Sequence, residues 1–186
     1  MKAKVISLKT NLVGQTVPTK FAGMAGRDIE KKLIAQGFKV DQRSAGVDIK
    51  NLGIEVKSRD VNSISPQSVG SMTPEDICAT PYAQSTIYAK LQQQLRVKTK
   101  EQTIVSADVY DFSSPAIQQR IEESYELARQ KIINGDDSSY IAGGAYGYFE
   151  RTGAGSRSYE FRLRDVSMKK IETISKSTFD KFFKLQ

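Results

Sequence analysis

Asp48, Glu55 and Lys57 are residues whose types and spacing could do chemistry together. They fall in Gly46-Val47-Asp48-Ile49-Lys50-Asn51-Leu52-Gly53-Ile54-Glu55-Val56-Lys57-Ser58-Arg59, two short apolar runs around a turn. Val47 and Ile49 alternate on one strand face, which turns Asp48 to the other, and Ile54 and Val56 do the same for Glu55 and Lys57. A hairpin through Asn51-Leu52-Gly53 then converges both acids and the lysine on one patch. Two carboxylates this close repel unless a cation sits between them. A hard divalent ion such as Mg2+ suits that place, because one or two carboxylates commonly hold it while waters and phosphate oxygens fill the remaining positions. Lys57 would orient or help deprotonate an attacking water, or stabilise charge developing on a phosphate. The set suffices to hydrolyse a phosphodiester.

The composition narrows the chemistry further. None of the 186 residues is histidine, which excludes histidine general bases, Ser-His-Asp and Cys-His triads and histidine-bound zinc. Cys78 is the single cysteine, so an internal disulfide and a cysteine metal cluster are excluded, and the thiol reads as inert and buried. With 39% hydrophobic residues the chain can bury a real core, and its length suits one compact domain. No apolar run approaches the roughly 20 residues that span a bilayer. The opening MKAKVISLKTNLVG lacks the apolar stretch and cleavage site of a signal peptide, so a cytoplasmic, intracellular protein with no membrane partner is expected. The formal charge is +7, and residues 151–186 contribute +5 of it, from nine Lys or Arg against four acids. A basic terminal third suggests a polyanionic partner, most simply nucleic acid. The charge alone fits an ordinary basic protein equally well.

The elements that must position these residues follow from periodicity and turn signals. Residues 26–37 predict a helix, with Ile29, Leu33 and Ile34 at helical spacing and Gly37 as its stop. Residues 38–43 alternate as a strand, 47–50 form a second and 54–59 a third. Residues 60–81 are rich in small polar side chains and read as a long loop placed to contact nucleic acid. A helix over 82–97, a strand over 103–110 and an amphipathic helix from Pro115 to about Ile133, ended by Asn134-Gly135, come next. Residues 146–151 and 158–165 predict a hairpin, and 177–185 a last helix. The order predicts a mixed α/β domain on a central sheet.

Asp48, six intervening residues and Glu55-Val56-Lys57 resemble the PD-(D/E)xK nuclease signature. The flanks Arg43-Ser44-Ala45-Gly46-Val47-Asp48-Ile49 and Ile54-Glu55-Val56-Lys57-Ser58-Arg59 are similar to the restriction-endonuclease and Holliday-junction-resolvase branches of that superfamily. The resemblance covers residues 24–60, and beyond them, to residue 110, the elements agree in order only. Valine stands before Asp48 where the nominal motif has proline, a departure common in the superfamily. The resemblance implies one nuclease domain over 1–186, with a restriction-endonuclease-like αβββαβ core at about 24–112 and a basic hairpin-and-helix extension at about 135–186. It implies a Mg2+-dependent endodeoxyribonuclease, with Mn2+ as a substitute, whose partner is DNA and whose cleavage expels a 3′-oxygen and leaves a 5′-phosphate. Asp48 and Glu55 would hold the ion with the Val56 carbonyl, and Lys57 would position the attacking water. Glu30, on the helix before the sheet where members often carry a further acid, would bind a second ion directly or through water. A homodimer is expected if both strands of a symmetric site are cut.

Rival readings accompany these. Asp41 and Asp48-Ile49-Lys50 repeat the spacing in another register, but that strand is short and bounded by Gly46 and Asn51, and Ile54-Glu55-Val56-Lys57 is the better buried one. The stretch could also be a surface hairpin with solvated charges. At the level of function, the alternatives are a nuclease-fold protein that grips DNA without cutting it and a regulatory subunit whose basic tail binds another protein. Among secondary signals, Gln84 and Tyr88 share a helix face, as a Gln and Tyr at this spacing do in an exonuclease-like branch of the superfamily, though a polar cap and a half-buried tyrosine are the favoured reading. Arg59 is a phosphate clamp or a surface arginine. Tyr140, Tyr146, Tyr148 and Phe149 with Arg151 and Arg157 could stack on bases, and cross-strand pairing in a hairpin is favoured over it. Arg162 and Arg164, with Lys169 and Lys170, are the candidates for tracking phosphates along a duplex. Asp136-Asp137 reads as a turn.

Overall fold

The computed structural model describes residues 12–18, 22–42, 46–63, 68–144, 146–164 and 176–177. In chain order the elements are α1 (Ala22–Ala35), β1 (Ile54–Asp60), β2 (Ser68–Met72), α2 (Pro74–Ala79), α3 (Thr86–Lys90), β3 (Gln93–Lys100), β4 (Thr103–Asp111), α4 (Pro115–Ile133), β5 (Tyr140–Ala142), β6 (Gly147–Arg151), β7 (Tyr159–Leu163) and β8 (Lys176–Ser177). The class is α/β, with one mixed and one antiparallel sheet of four strands each. The described residues divide into two compact units: 12–18, 22–42, 46–63, 92–111 and 176–177 in the first, and 68–91, 112–144 and 146–164 in the second.

The first unit is built on the strand order β1-β3-β4-β8, with β1 parallel to β3 and β3 antiparallel to β4. Alternation makes this sheet two-faced. On one face Ile54, Val56, Leu95, Val97, Ala107 and Val109 are buried in a common core with Ala25, Ile29 and Leu33 of α1. The helix ends in a Schellman motif: Gly37, at φ +89, donates to the Ile34 carbonyl at 2.9 Å, and Phe38 donates to the Leu33 carbonyl at 3.1 Å. Phe38 and Leu33 are both buried, so the cap also carries the apolar contact that accompanies this motif. Ile34, expected on the inner face, is 44% exposed.

Several expected elements differ. Residues 38–42 are turn and irregular backbone, with 43–45 outside the described residues, and 47–50 make no strand beyond an isolated bridge from Ile49 to Ile54. A 3-10 turn over Lys50–Leu52 forms instead, closed by Gly53 in the left-handed region at φ +65. The presumed loop at 60–81 contains β2 and α2, the latter capped by the Thr73 hydroxyl, which accepts from the Asp76 N–H at 3.1 Å. The helix expected over 82–97 is a 3-10 turn at Tyr82–Gln84, the short α3 and then β3. Gln, Lys and Arg are good helix formers, but Leu95 and Val97 alternate with polar residues, and the pairing of this segment with β1 and β4 prevails over propensity. The turn from β3 to β4 hid the hairpin, because both of its central residues, Glu101 at φ +47 and Gln102 at φ +65, are non-glycine. Its strain is offset by the segment at 12–18: the Val17 N–H donates to the Gln102 carbonyl at 2.6 Å, and the Gln102 amide donates to the Pro18 carbonyl at 2.8 Å. The strand at 103–110 and the helix from Pro115 to Ile133 form as expected. The last helix, over 177–185, lies outside the described residues except for Ser177, which is in β8.

In the second unit α4 lays Ile117, Ile121, Tyr125, Ala128 and Ile132 into a core with Tyr82, Phe149, Tyr159 and Phe161. The predicted hairpin is β6 and β7, paired Gly147↔Leu163 to Arg151↔Tyr159 within the order β2-β7-β6-β5. Among the described residues no helix is long and apolar enough to cross a membrane.

Two glycines of the first unit should respond oppositely to alanine. A Cβ at Gly26, inside α1, meets only the Ser58 hydroxyl at 3.8 Å, so Gly26→Ala should gain up to about 1 kcal/mol from helix propensity. Gly53→Ala must hold a left-handed residue and should lose about 1 kcal/mol. Urea denaturation of the two variants checks both signs.

Candidate functional site

The site is assembled at the start of β1. Ile49 and Ile54 exchange backbone hydrogen bonds of 2.9 and 3.2 Å across the 3-10 turn, which sets the neighbours Asp48 and Glu55 opposite each other. The expected convergence therefore occurs, through a bridge rather than a strand pair. The Asp41 N–H donates to the Asp48 carbonyl at 2.8 Å and steadies the approach from the other side. The Asp48 side chain then accepts the Val56 N–H through Oδ2 at 2.7 Å. Glu55 is 2% exposed. Its Oε1 lies 2.7 Å from the Lys57 ammonium, whose side chain is 21% exposed. Ile54 and Val56, on the opposite face, anchor the strand in the core.

The electrostatics describe crowded acids. Burial pushes the Asp48 carboxyl up to about 6 from 3.8, the Glu55 and Glu30 charges push the same way, and the Val56 hydrogen bond and Lys57 oppose them. Glu30, half-buried on α1, thus lies within electrostatic reach of Asp48. The acid of the rival register, Asp41, is held 2.6 Å from Lys50 in a surface ion pair. No three His, Cys, Asp or Glu side chains among the described residues group closely enough to hold a metal ion by themselves. A hard ion here would draw on two carboxylates, a backbone carbonyl, waters and substrate oxygens, a mix of donors usual for Mg2+.

Strand register adds residues that the sequence reading missed. Glu55 pairs with Gln94 and Lys57 with Arg96 on β3, and these pair in turn with Tyr110 and Asp108 on β4. All six share one sheet face, because register partners project to the same side. Gln94 and Arg96 are buried. The signal was the alternation Gln94-Leu95-Arg96-Val97-Lys98, which was concealed by reading the segment as helix.

The remaining candidates mostly have structural partners. Arg59, near the end of β1, donates to the Ser63 carbonyl at 2.6 Å. Gln84 is exposed in the second unit, in the 3-10 turn, while Tyr88 on α3 sets its ring edge against Tyr82, with centroids 5.4 Å apart. Arg151 stacks on Tyr159, with 4.9 Å to the ring centroid, and holds the carbonyls of Ser156 and Asp137 at 2.9 and 2.5 Å. Arg157 pairs with Glu75 at 2.5 Å on the surface. Arg162 lies between Glu150 and Glu160, at 2.8 and 3.0 Å, so a phosphate there would have to displace a carboxylate. Arg164 stacks on Tyr148 at 4.9 Å and donates to the Tyr140 hydroxyl. Asp136 accepts from the Ser138 backbone and hydroxyl, as a turn residue does. Lys169 and Lys170 lie outside the described residues. Compared with protein-family models and with curated proteins, the chain matches none.

The raised Asp48 value fixes the sign of a pH effect. Folding takes up a proton between about pH 4 and about pH 6, so Asp48 weakens the fold above that window and costs nothing below it, where the group is protonated in both states. Asp48→Asn keeps an oxygen for the Val56 N–H. It should be more stable than wild type by about 1–3 kcal/mol at about pH 8 and equal to it near pH 4, by urea denaturation. Equal stability at the higher pH would show that neither burial nor the neighbouring acids disfavour the Asp48 carboxylate.

Proposed function

We propose that the chain is a metal-dependent endodeoxyribonuclease of the PD-(D/E)xK type, with its site in the first unit. The observation that carries this is the meeting of three groups: Asp48 fixed on the Val56 N–H at 2.7 Å, and Glu55 paired with the Lys57 ammonium at 2.7 Å on the same strand. A helix bearing an acid before an acid-rich turn and strand, packed on a mixed sheet, agrees with a restriction-endonuclease-like core. The donor set fits a hard cation, because all of its atoms are oxygens, and positive charge between the acids would offset both the burial of the Asp48 carboxylate and its repulsion by Glu55 and Glu30.

Asp48 and Glu55, with the Val56 carbonyl, would hold Mg2+ or Mn2+, and Glu30 would act on a second ion directly or through water. When bound, the ion supplies Lewis acidity at the phosphodiester. Lys57 orients the attacking water and offsets the charge that develops on the non-bridging phosphate oxygens. Glu55 holds Lys57 in place for this, since the 2.7 Å contact fixes the flexible stem of the lysine. The water oxygen bonds to phosphorus, the P–O3′ bond breaks with its electron pair on the 3′-oxygen, the water proton passes to solvent, and a solvent water returns a proton to the 3′-oxygen, which leaves as a hydroxyl. The products are a 3′-hydroxyl and a 5′-phosphate.

Supercoiled plasmid incubated with Mg2+ should be nicked or linearised, and chelation should abolish the cleavage. Asp48→Asn and Lys57→Met should each lower the rate by about 100-fold or more, and Glu30→Gln by a smaller factor. Cleavage that persists undiminished in both Asp48→Asn and Lys57→Met would remove the site from the reaction. Salt-dependent DNA binding without any cleavage by wild type would favour a protein that grips DNA without cutting it.

A further inference from the structure

We propose that the Asp41–Lys50 ion pair is a strap that holds Asp48 in its metal-binding position, which makes Asp41 and Lys50 positioning residues of the site. This rests on the metal-dependent nuclease reading and names what keeps one ligand in place. In the sequence these two residues repeat the acid-to-lysine spacing in a rival register, and the structure joins them to each other, with the Asp41 Oδ2 2.6 Å from the Lys50 ammonium. Asp41 also grips with its backbone, since its N–H donates to the Asp48 carbonyl at 2.8 Å. One residue therefore holds the segment at two points, at Asp48 itself and two residues beyond it.

Asp48 has reason to need the hold. Towards β1 its segment is joined by the isolated bridge of Ile49 to Ile54 and by the contact of the Asp48 carboxylate with the Val56 N–H, with no strand ladder behind them. Burial and the Glu55 and Glu30 charges disfavour that carboxylate, so it gains by swinging out to water unless the backbone beneath it resists. The strap supplies resistance from the side away from β1. Lys50 opens the 3-10 turn, and its carbonyl accepts the Gly53 N–H at 3.2 Å, so a pull on Lys50 acts on the turn. The other end is anchored, because Val40, the neighbour of Asp41, packs against the core and Phe38 lies within it. The paired side chains are 61% and 35% exposed, and exposed pairs contribute modestly, which sets the expected effect at about threefold.

The competing role is a surface ion pair that holds nothing, and the variant Lys50→Met separates the two by sign. Removing a cation two residues from Asp48 makes the surroundings of the ion more negative, so charge alone would tighten Mn2+ binding. Loss of a strap weakens it. Binding is measured without DNA, from the electron paramagnetic resonance of free Mn2+, and should weaken about threefold in Lys50→Met. Amide exchange followed by NMR gives a readout that needs no metal. The Val56 N–H, which reports the seat of the Asp48 carboxylate, and the Ile49 N–H should exchange about threefold faster, while Leu95 and Val97 in the core keep their rates. The reversed pair Asp41→Lys, Lys50→Asp should return the Val56 and Ile49 rates towards wild type. Unchanged exchange at Val56 in Lys50→Met, or Mn2+ binding that is unchanged or tighter, overturns the proposal. Wild-type Mn2+ binding that is indifferent to Asp48→Asn overturns the metal reading instead, and the amide rates then decide the strap by themselves.

Discussion

The pair of hydrogen bonds between Ile49 and Ile54 is the constraint on which the site depends. It closes a turn of four residues, so the two side chains that follow the bridge outward, Asp48 and Glu55, have to face each other. Left to themselves, two carboxylates and a nearby third would separate. The backbone does not let them, and burial, with the Glu55 and Glu30 charges adding to it, pushes the Asp48 carboxyl up to about 6. Part of the penalty is offset locally, by the Val56 N–H on Asp48 and the Lys57 ammonium on Glu55. What remains is a destabilised arrangement that a bound cation would relax, which is how functional sites commonly differ from the rest of a fold.

The sheet gives this arrangement a rigid base. Its apolar face and α1 share one core, in which Ile29, Leu33, Leu95 and Ile104 are fully buried. That packing fixes the strand that bears Glu55 and Lys57, and it leaves the other face to carry charge. Glu30 belongs to the same scheme, since the helix that buries Ile29 presents the next residue near Asp48. Charged groups held on a packed scaffold lose little entropy when they meet a ligand, and the order imposed by Ile54, Val56, Leu95 and Val97 is what makes the polar face usable.

Much of the site was legible in local sequence, because its geometry depends on short-range rules. Alternation placed Glu55 and Lys57 on one side of β1, the Asn51-Leu52-Gly53 turn signalled the reversal, and Gly37 marked the end of α1. The route was less legible. Val47–Lys50 looked like a strand, yet the 3-10 turn claims Lys50 and the ladder gives way to a single bridge, with the Asp48 side chain taking the Val56 N–H. The larger miss was β3. Three glutamines, with lysine and arginine nearby, favour a helix locally, and the pairing that overrides them depends on β1 and β4, which are distant in sequence or joined by a turn without glycine. Gln94 and Arg96 could be recognised only after that register was known. In the second unit, the arginines that composition marked for phosphate are held by Glu150, Glu160, Tyr148 and Tyr159, partners that charge counting does not reveal.

The most direct test of the central claim is anomalous diffraction from crystals of this protein soaked in manganese. The account predicts a peak within coordination distance of both the Asp48 and Glu55 carboxylates, with the Lys57 ammonium beside it. Ordered carboxylates at that turn without a manganese peak, under conditions where the ion occupies other sites in the crystal, would contradict it.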